Sequence, residues 1–195
     1  ENGSTDQTVP LARELQQRHP ELRILHHPEP NYGYALRRGI LEARGDYVIC
    51  DEIDLCGTDF YIRAMGLLEG GKKDMIIGSK TLRGSADKRP LYRQLATRVL
   101  NFLLHVFLGF EGTDTHGLKA FNRVKILDVV DECVVDQDLF ASELVIRAER
   151  MEKQIKEIPL TVMEKRKPSI NLFKRVPNVL SNLARLFWVI RIAHR

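Results

Sequence analysis

Apolar and charged residues alternate at helical spacing from Val9 to His19, and Pro20 closes that segment, so a helix is predicted there. Leu22 to Leu25 is a short apolar strand candidate. His26 to Tyr34, rich in Pro, Asn and Gly, reads as a loop. A helix is expected over Ala35 to Ala43, then a compact strand, Tyr47-Val48-Ile49-Cys50, running straight into Asp51-Glu52-Ile53-Asp54. Thr58 to Leu68 reads as a helix ended by Gly70-Gly71, and Met75-Ile76-Ile77 lies within a second buried strand. Lys80 to Lys88 is a polar loop. Pro90 suits a first helical turn and opens a long helix to about Leu108. A loop over Gly109 to Gly117 follows, then a strand at Leu118 to Phe121 and helices at Val124 to Val130 and Glu143 to Lys153. Ile155 to Val162 is a strand whose Pro159 points to an edge, and Val176 to Ile192 is an amphipathic helix. Strands alternating with helices imply an α/β fold with a mostly parallel sheet covered on both faces. In such sheets ligands bind at the carboxyl ends of strands, which directs attention to Asp51–Asp54 and to Gly78-Ser79-Lys80.

Length and composition leave that picture intact: 195 residues, 44% hydrophobic and 29% charged, suit one domain with a sizeable core. No apolar run reaches the roughly eighteen residues of a spanning helix. The polar opening Glu1-Asn2-Gly3-Ser4-Thr5-Asp6 reads as a cut made inside a longer protein. Three cysteines without metal-type spacing read as reduced thiols of a cytoplasmic protein. The net charge of +4 is modest but unevenly spread: Glu164 to Arg195 holds eight Lys or Arg and one acidic residue. That excess suits a solvated surface, phosphate groups or an anionic membrane face.

The acidic cluster after the first strand is the strongest local signal. Three carboxylates within four positions repel one another unless a cation compensates. Glu52 and Asp54 stand two apart, which in extended backbone points both side chains the same way. Hard oxygen ligands of this kind suit Mg²⁺ or Mn²⁺ shared with a diphosphate. A second signal is Asn31-Tyr32-Gly33-Tyr34, a glycine-bearing turn opening a helix, which suits close approach of a nucleotide or phosphate.

Asn2-Gly3-Ser4-Thr5-Asp6, the Asn31/Gly33 turn and Gly45-Asp46-Tyr47-Val48-Ile49 followed by Glu52-Ile53-Asp54 occur in one order along the chain. Gly78-Ser79-Lys80, Gly112-Thr113-Asp114-Thr115-His116-Gly117-Leu118-Lys119-Ala120-Phe121 and Glu157-Ile158-Pro159 continue that order. Together they resemble the family-two glycosyltransferases, and most closely the dolichol- or polyprenol-phosphate mannose synthase type. The resemblance implies a GT-A fold, a Rossmann-like sheet flanked by helices whose first strand is missing from this sequence. It divides the chain into a catalytic domain over 1–165 and a basic amphipathic helical segment over 166–195. It also implies inverting, metal-assisted transfer of a sugar from a nucleotide-diphosphate donor to an acceptor such as a polyprenyl phosphate.

Residue by residue, the resemblance puts Asn2, Asp6, Asn31 and Gly33 near the donor nucleotide and Glu52 and Asp54 on the metal. Lys80 and Arg93 correspond to arginines that hold acceptor phosphate, although Lys80 lacks the guanidinium fork. Asp114 and His116 lie in the loop matching Asp-x-Thr-Ser-Gly, with His116 in place of Ser, and Glu143 matches an acid near the active site. Asp54, Asp114 and Glu143 are thus the catalytic candidates. The sequence departs from the pattern at Glu52, where Asp is usual, and at Cys56, where Gln often assists the metal. A thiol is a poor Mg²⁺ ligand, so that role is not carried over. An anionic acceptor phosphate needs no strong base, whereas a sugar hydroxyl would need one, with Asp114 and Glu143 the candidates. The rival expectations are a non-catalytic sugar-nucleotide-binding or assembly module and a nucleotidyltransferase; no aromatic-basic module points to nucleic acid. The basic carboxyl-terminal helix is compatible with a peripheral place at the cytoplasmic face of a membrane.

Overall fold

A computed structural model describes residues 1–52, 55–163 and 172–193, with backbone alone over 172–175. Along the chain, α1 (Thr8–Arg18) and α2 (Tyr32–Glu42) precede β1 (Tyr47–Cys50), α3 (Thr58–Glu69) and β2 (Met75–Ser79). Then come β3 (Ala86–Asp87), α4 (Leu91–Leu103), β4 (Lys119–Asn122), α5 (Arg123–Glu132) and α6 (Phe140–Arg150). The chain continues through β5 (Ile155–Pro159), β6 (Thr161–Val162) and α7 (Leu172–Phe187).

The main sheet has the order β1-β4-β2-β5. β1, β2 and β5 share one direction, and β4 runs against its two neighbours, pairing Val48 with Phe121 on one side and Ile76 with Ala120 on the other. The two-residue period of the strands divides the core. Met75, Ile77 and Phe121 face a cluster built with α5, α6 and α7, while Ile76 and Ala120 face Phe60, Ala64 and Leu68 of α3. β4 passes directly into α5, whose first turn is capped by the Asn122 side chain accepting from the Lys125 N–H at 3.3 Å. α7 joins the first cluster through Leu183 and Leu186, and the π-helical turn beyond it, Trp188–Ile192, through Ile190, so this segment shares the core of the preceding domain.

Several elements differ from the sequence reading. Leu22 to Leu25 forms no strand; the pairing falls later, as a single parallel bridge between Asn2 and His27, with the Glu1 nitrogen donating to the Leu25 carbonyl at 2.9 Å. Pro90 stands just before α4 as its cap residue, not inside the first turn. The long helix changes at Leu104 into a π-helical turn, Leu104–Leu108, closed by Gly109 at φ 69°, and that turn buries both Leu104 and Leu108. The loop after Lys80 contains β3, which pairs with β6. α6 begins at Phe140, three residues before the predicted start, because Phe140 and Ala141 are themselves core.

The loop before β4 lies directly on the end of β2: the Gly78 N–H donates to the Leu118 carbonyl at 2.8 Å. A Cβ on Gly117 would stand 1.6 Å from the Gly78 oxygen, so only glycine fits. Gly117→Ala is expected to lower unfolding free energy by about 3 kcal/mol in urea titration, because backbone, not a flexible side chain, must yield. An unchanged midpoint would show that the two segments separate freely.

Candidate active site

β1 delivers Asp51 and Glu52 to the sheet's carboxyl edge. Asp51 shapes the loop: one carboxylate oxygen accepts from the Glu52 N–H at 2.6 Å, the other from the Gly57 N–H at 3.1 Å and from the Tyr61 hydroxyl. Burial, with the neighbouring Asp51 carboxylate, raises the Tyr61 phenol to about 12, which keeps it a proton donor in that bond. Glu52 is exposed, and its carboxylate takes part in no hydrogen bond or ion pair among the described residues. It is therefore a hard oxygen donor open to a divalent cation. Asp54, its expected partner, lies outside the described residues. Among the described residues no three His, Cys, Asp or Glu side chains form a metal-holding group.

β2 ends on Ser79 and Lys80, both buried, and these meet the loop over Gly109 to Gly117. Asp114, 0% exposed, accepts from both the backbone N–H and the ammonium of Lys80 at 3.0 Å, and from the His116 N–H at 2.9 Å. Burial works to raise the Asp114 pKa, but the Lys80 charge and the two N–H groups outweigh it and hold it below the ordinary carboxylate value. Glu157 of β5 gives the loop its shape. Its carboxylate accepts from the Thr113 N–H and hydroxyl at 2.7 Å each and from the Asp114 N–H at 3.2 Å. The Thr113 hydroxyl in turn meets Ser79 Oγ at 2.6 Å, and the Asn101 side-chain amide donates to the Thr113 carbonyl.

Glu143, also 0% exposed, is committed elsewhere: it accepts from the Val134 and Val135 N–H groups at 2.8–3.0 Å and from Arg147 Nε at 2.7 Å. It fixes the turn between α5 and α6. His116 is partly exposed, with Nδ1 3.0 Å from the Thr115 hydroxyl and Nε2 3.4 Å from the Asp138 carbonyl. Burial, with the Lys119 and Lys80 charges, pushes its pKa down to about 4, so the imidazole is neutral at pH 7.

Lys119, which the sequence places in the strand Leu118 to Phe121 with no role of its own, is 3% exposed and opposite Cys50 in the β1–β4 register. Its ammonium donates to the Gly117 carbonyl at 2.9 Å. Burial drives its pKa down to about 8; Cys50, Asp114 and Glu52 oppose the fall and Lys80 adds to it. Lys119 thus joins the loops of Lys80, Asp114 and Glu52 in one electrostatic neighbourhood. An unfolded lysine, at its ordinary value of 10.5, binds a proton that the fold releases from about pH 8 upward. The lowered value therefore gives stability that is full above the unfolded pKa and is lost as pH falls through the folded one, by an amount on the order of 3 kcal/mol. Lys119→Met is expected to raise the melting temperature at pH 7 and to narrow its lead over the parent chain as pH rises from 8 to 10. The comparison must be made between the two proteins, since Cys50, raised by burial to about 11, titrates in the opposite sense above pH 9. A lead that is constant with pH would show that Lys119 carries no proton-linked cost.

The remaining predicted residues, Arg93 apart, lie in the amino-terminal segment. Asn31 caps α2, its side chain accepting from the Tyr34 N–H at 3.0 Å, and the Asn2 amide oxygen, when turned toward the Asn31 and Tyr32 N–H groups, stands 3.1 Å from each. Asp6 accepts from the Thr8 N–H and hydroxyl at the start of α1. A Cβ on Gly33 would lie 2.3 Å from the Gln137 carbonyl, so the glycine is filled by the chain's own backbone and gives close packing of α2 on that loop. Arg93 is half-buried in the first turn of α4. A cavity of about 220 Å³ opens beside α2, lined in part by Arg23, His26, His27, Tyr34 and Arg38. None of its lining residues belongs to the strand-end loops, so the acidic site is not seated in it.

The chain is matched over residues 1–130 by the model of glycosyl transferase family 2. It belongs to that family. Glycosyltransferase AglD of Haloferax volcanii is 25% identical over the whole of this chain and 32% of its own length. A low-salt glycan biosynthesis hexosyltransferase of the same organism is 31% identical over 82% of this chain and 38% of its own. A dolichyl-phosphate beta-glucosyltransferase of Trichomonas vaginalis is 26% identical over 82% and 50%. The chain thus spans between a third and a half of these relatives. Among solved structures, glucosyl-3-phosphoglycerate synthase from Mycobacterium tuberculosis in complex with phosphoglyceric acid superposes with TM-score 0.62 at 20% identity, covering 96% of this chain and 66% of that one. The same enzyme with Mn²⁺, UDP-glucose and phosphoglyceric acid gives 0.59 at 20% identity, covering 94% and 67%. The fold is therefore that of the GT-A glycosyltransferases.

Proposed function

We propose that the chain carries the machinery for transferring a sugar from a nucleotide-diphosphate donor to an acceptor that arrives already anionic, a phosphate, of which a polyprenyl phosphate is one member. One observation carries the reading: of the candidate bases, Asp114 and Glu143 are committed to partners of their own and His116 is too weak. Asp114 is fully buried and held anionic by Lys80. Glu143 is fully buried and occupied by two backbone N–H groups and Arg147. His116 has its pKa lowered to about 4, too weak a base to hold a transferred proton near neutrality. An acceptor phosphate oxygen attacks the anomeric carbon without first losing a proton.

Glu52 and Asp54 would hold Mg²⁺ or Mn²⁺, and the bound cation supplies neutralisation of the charge growing on the departing nucleotide. Lys80, fixed by Asp114, and Arg93 would orient the acceptor by charge. Asp114 and Glu157 keep Lys80 and its loop in place, and Glu143 braces the turn before α6. The Mn²⁺ and UDP-glucose bound by the mycobacterial synthase, and the dolichyl phosphate in the name of the Trichomonas relative, support the donor, metal and acceptor classes. The test uses the full-length protein with a panel of nucleotide sugars, with and without Mn²⁺, against polyprenyl phosphate and against a neutral sugar acceptor. Turnover on the phosphate is expected; turnover confined to the neutral hydroxyl acceptor would defeat the reading. Because the chain spans only part of its relatives, a sugar-nucleotide-binding module is the second reading, and donor binding with no turnover on either acceptor would select it.

A further inference from the structure

The acidic loop after β1 is pinned at both ends to the start of β4. Cys50 pairs with Lys119 across the β1–β4 ladder, and Gly57 lies so near Leu118 that a Cβ on it would stand 2.6 Å from Leu118 Cδ1. Between Cys50 and Gly57 the chain must therefore go out and come straight back. The Leu55 N–H donates to the Glu52 carbonyl at 2.8 Å, which closes a turn. Cys56, on the return, has φ 46°, a left-handed backbone that a non-glycine residue keeps only where its surroundings hold it.

One carboxylate holds this excursion together. Asp51 accepts from the Glu52 N–H on the outgoing side and from the Gly57 N–H on the returning side, and the Tyr61 hydroxyl donates to it. Tyr61 gives that bond a firm base. It stands in the first turn of α3 and packs against the second core cluster, in which Phe60 and Ala64 of the same helix are buried. Arg63 ties α3 to the end of β5, donating to the Pro159 carbonyl at 2.9 Å. The Glu52 side chain is exposed, but the main chain from which it projects is tied through Asp51 to a rigid helix.

We infer that Tyr61 is a positioning residue for the divalent cation: through Asp51 it fixes the main chain at Glu52, and so sets how well that carboxylate meets the ion. The inference deepens the metal reading given above and rests on it. The test titrates the full-length protein with Mn²⁺ alone, counting free Mn²⁺ by its electron paramagnetic resonance. Tyr61→Phe keeps the ring packed on the core and removes only the hydroxyl. It is expected to weaken Mn²⁺ binding about tenfold, and to raise the Mn²⁺ concentration for half-maximal transfer equally, with kcat at saturating Mn²⁺ unchanged. Asp51→Asn should weaken binding at least as much, and adding Y61F to it should weaken binding no further, since Tyr61 acts through Asp51. Ala64→Gly, which loosens the same helix, should lower the melting temperature and leave Mn²⁺ affinity at the parent value. Parent-like Mn²⁺ binding by Y61F, while Glu52→Gln binds more weakly, would overturn the inference and leave the metal reading standing. So would a double variant clearly weaker than D51N, or an A64G variant as impaired in Mn²⁺ binding as Y61F, which would reduce Tyr61 to a stabilising role. Parent-like binding by E52Q, or no binding by the parent protein, would instead remove the metal reading and the inference with it.

Discussion

Asp54→Ala in the full-length protein is expected to abolish metal-dependent sugar transfer, with kcat falling by roughly a thousandfold or more, about 4 kcal/mol of lost transition-state stabilisation. Glu52→Gln keeps the shape of the side chain but removes its charge, and the same assay should show a smaller loss that added Mn²⁺ partly restores. The Glu52 carboxylate stands exposed at the end of β1, and Asp51, the third acid of the cluster, is consumed by Gly57 and Tyr61 and cannot substitute. Full activity of the Asp54 variant would remove the metal assignment and with it the proposed stabilisation of the leaving diphosphate.

Lys80→Met should be the most damaging substitution for folding. It would strand the Asp114 carboxylate, 0% exposed, without its cation, and breaking a buried pair from one side costs about 3–5 kcal/mol. The pH dependence has a definite sign. With Lys80 present the Asp114 pKa is lowered, so the pair's stability is present above the ordinary carboxylate value of 3.8 and fades as pH falls through the folded value. Without the Lys80 ammonium, burial is opposed only by the N–H groups of residue 80 and His116, so that pKa rises and the variant's deficit should shrink on acidification. Adding Asp114→Leu should recover much of the loss, because a matched apolar pair no longer buries a charge. Urea midpoints at pH 7 and pH 5 for the three proteins check this; a deficit equal at both values, or a double variant no better than the single, would contradict it.

The sequence pattern was most legible where one element buries a whole face. Tyr47–Cys50 forms the predicted strand, β2 contains the predicted apolar core, and α3 extends only one residue beyond the predicted end. Distant partners were less visible. Leu22 to Leu25 is apolar enough for a strand, yet the bridge forms beyond it, between Asn2 and His27. Gly33 has the spacing of a ligand-binding turn, and only the fold reveals that Gln137 occupies the space beside it. Lys119 stands in the predicted strand Leu118 to Phe121, and periodicity cannot say that its ammonium will be buried against the Gly117 carbonyl. In the sequence Glu157 is only the start of Glu157-Ile158-Pro159, and its reach to Thr113 is a tertiary fact. The resemblance places Asp114 and Glu143 near chemistry; the structure shows what already occupies their oxygens.

The bond from β5 back to the loop before β4 has a consequence for engineering. Thr113 and Glu157 are 44 residues apart, yet three hydrogen bonds from one carboxylate decide where the main chain of that loop runs. A loop transplanted from a relative would arrive without its tether unless the matching strand came with it. Recombination among such proteins should therefore treat loop and edge strand as one cassette, inherited together or not at all.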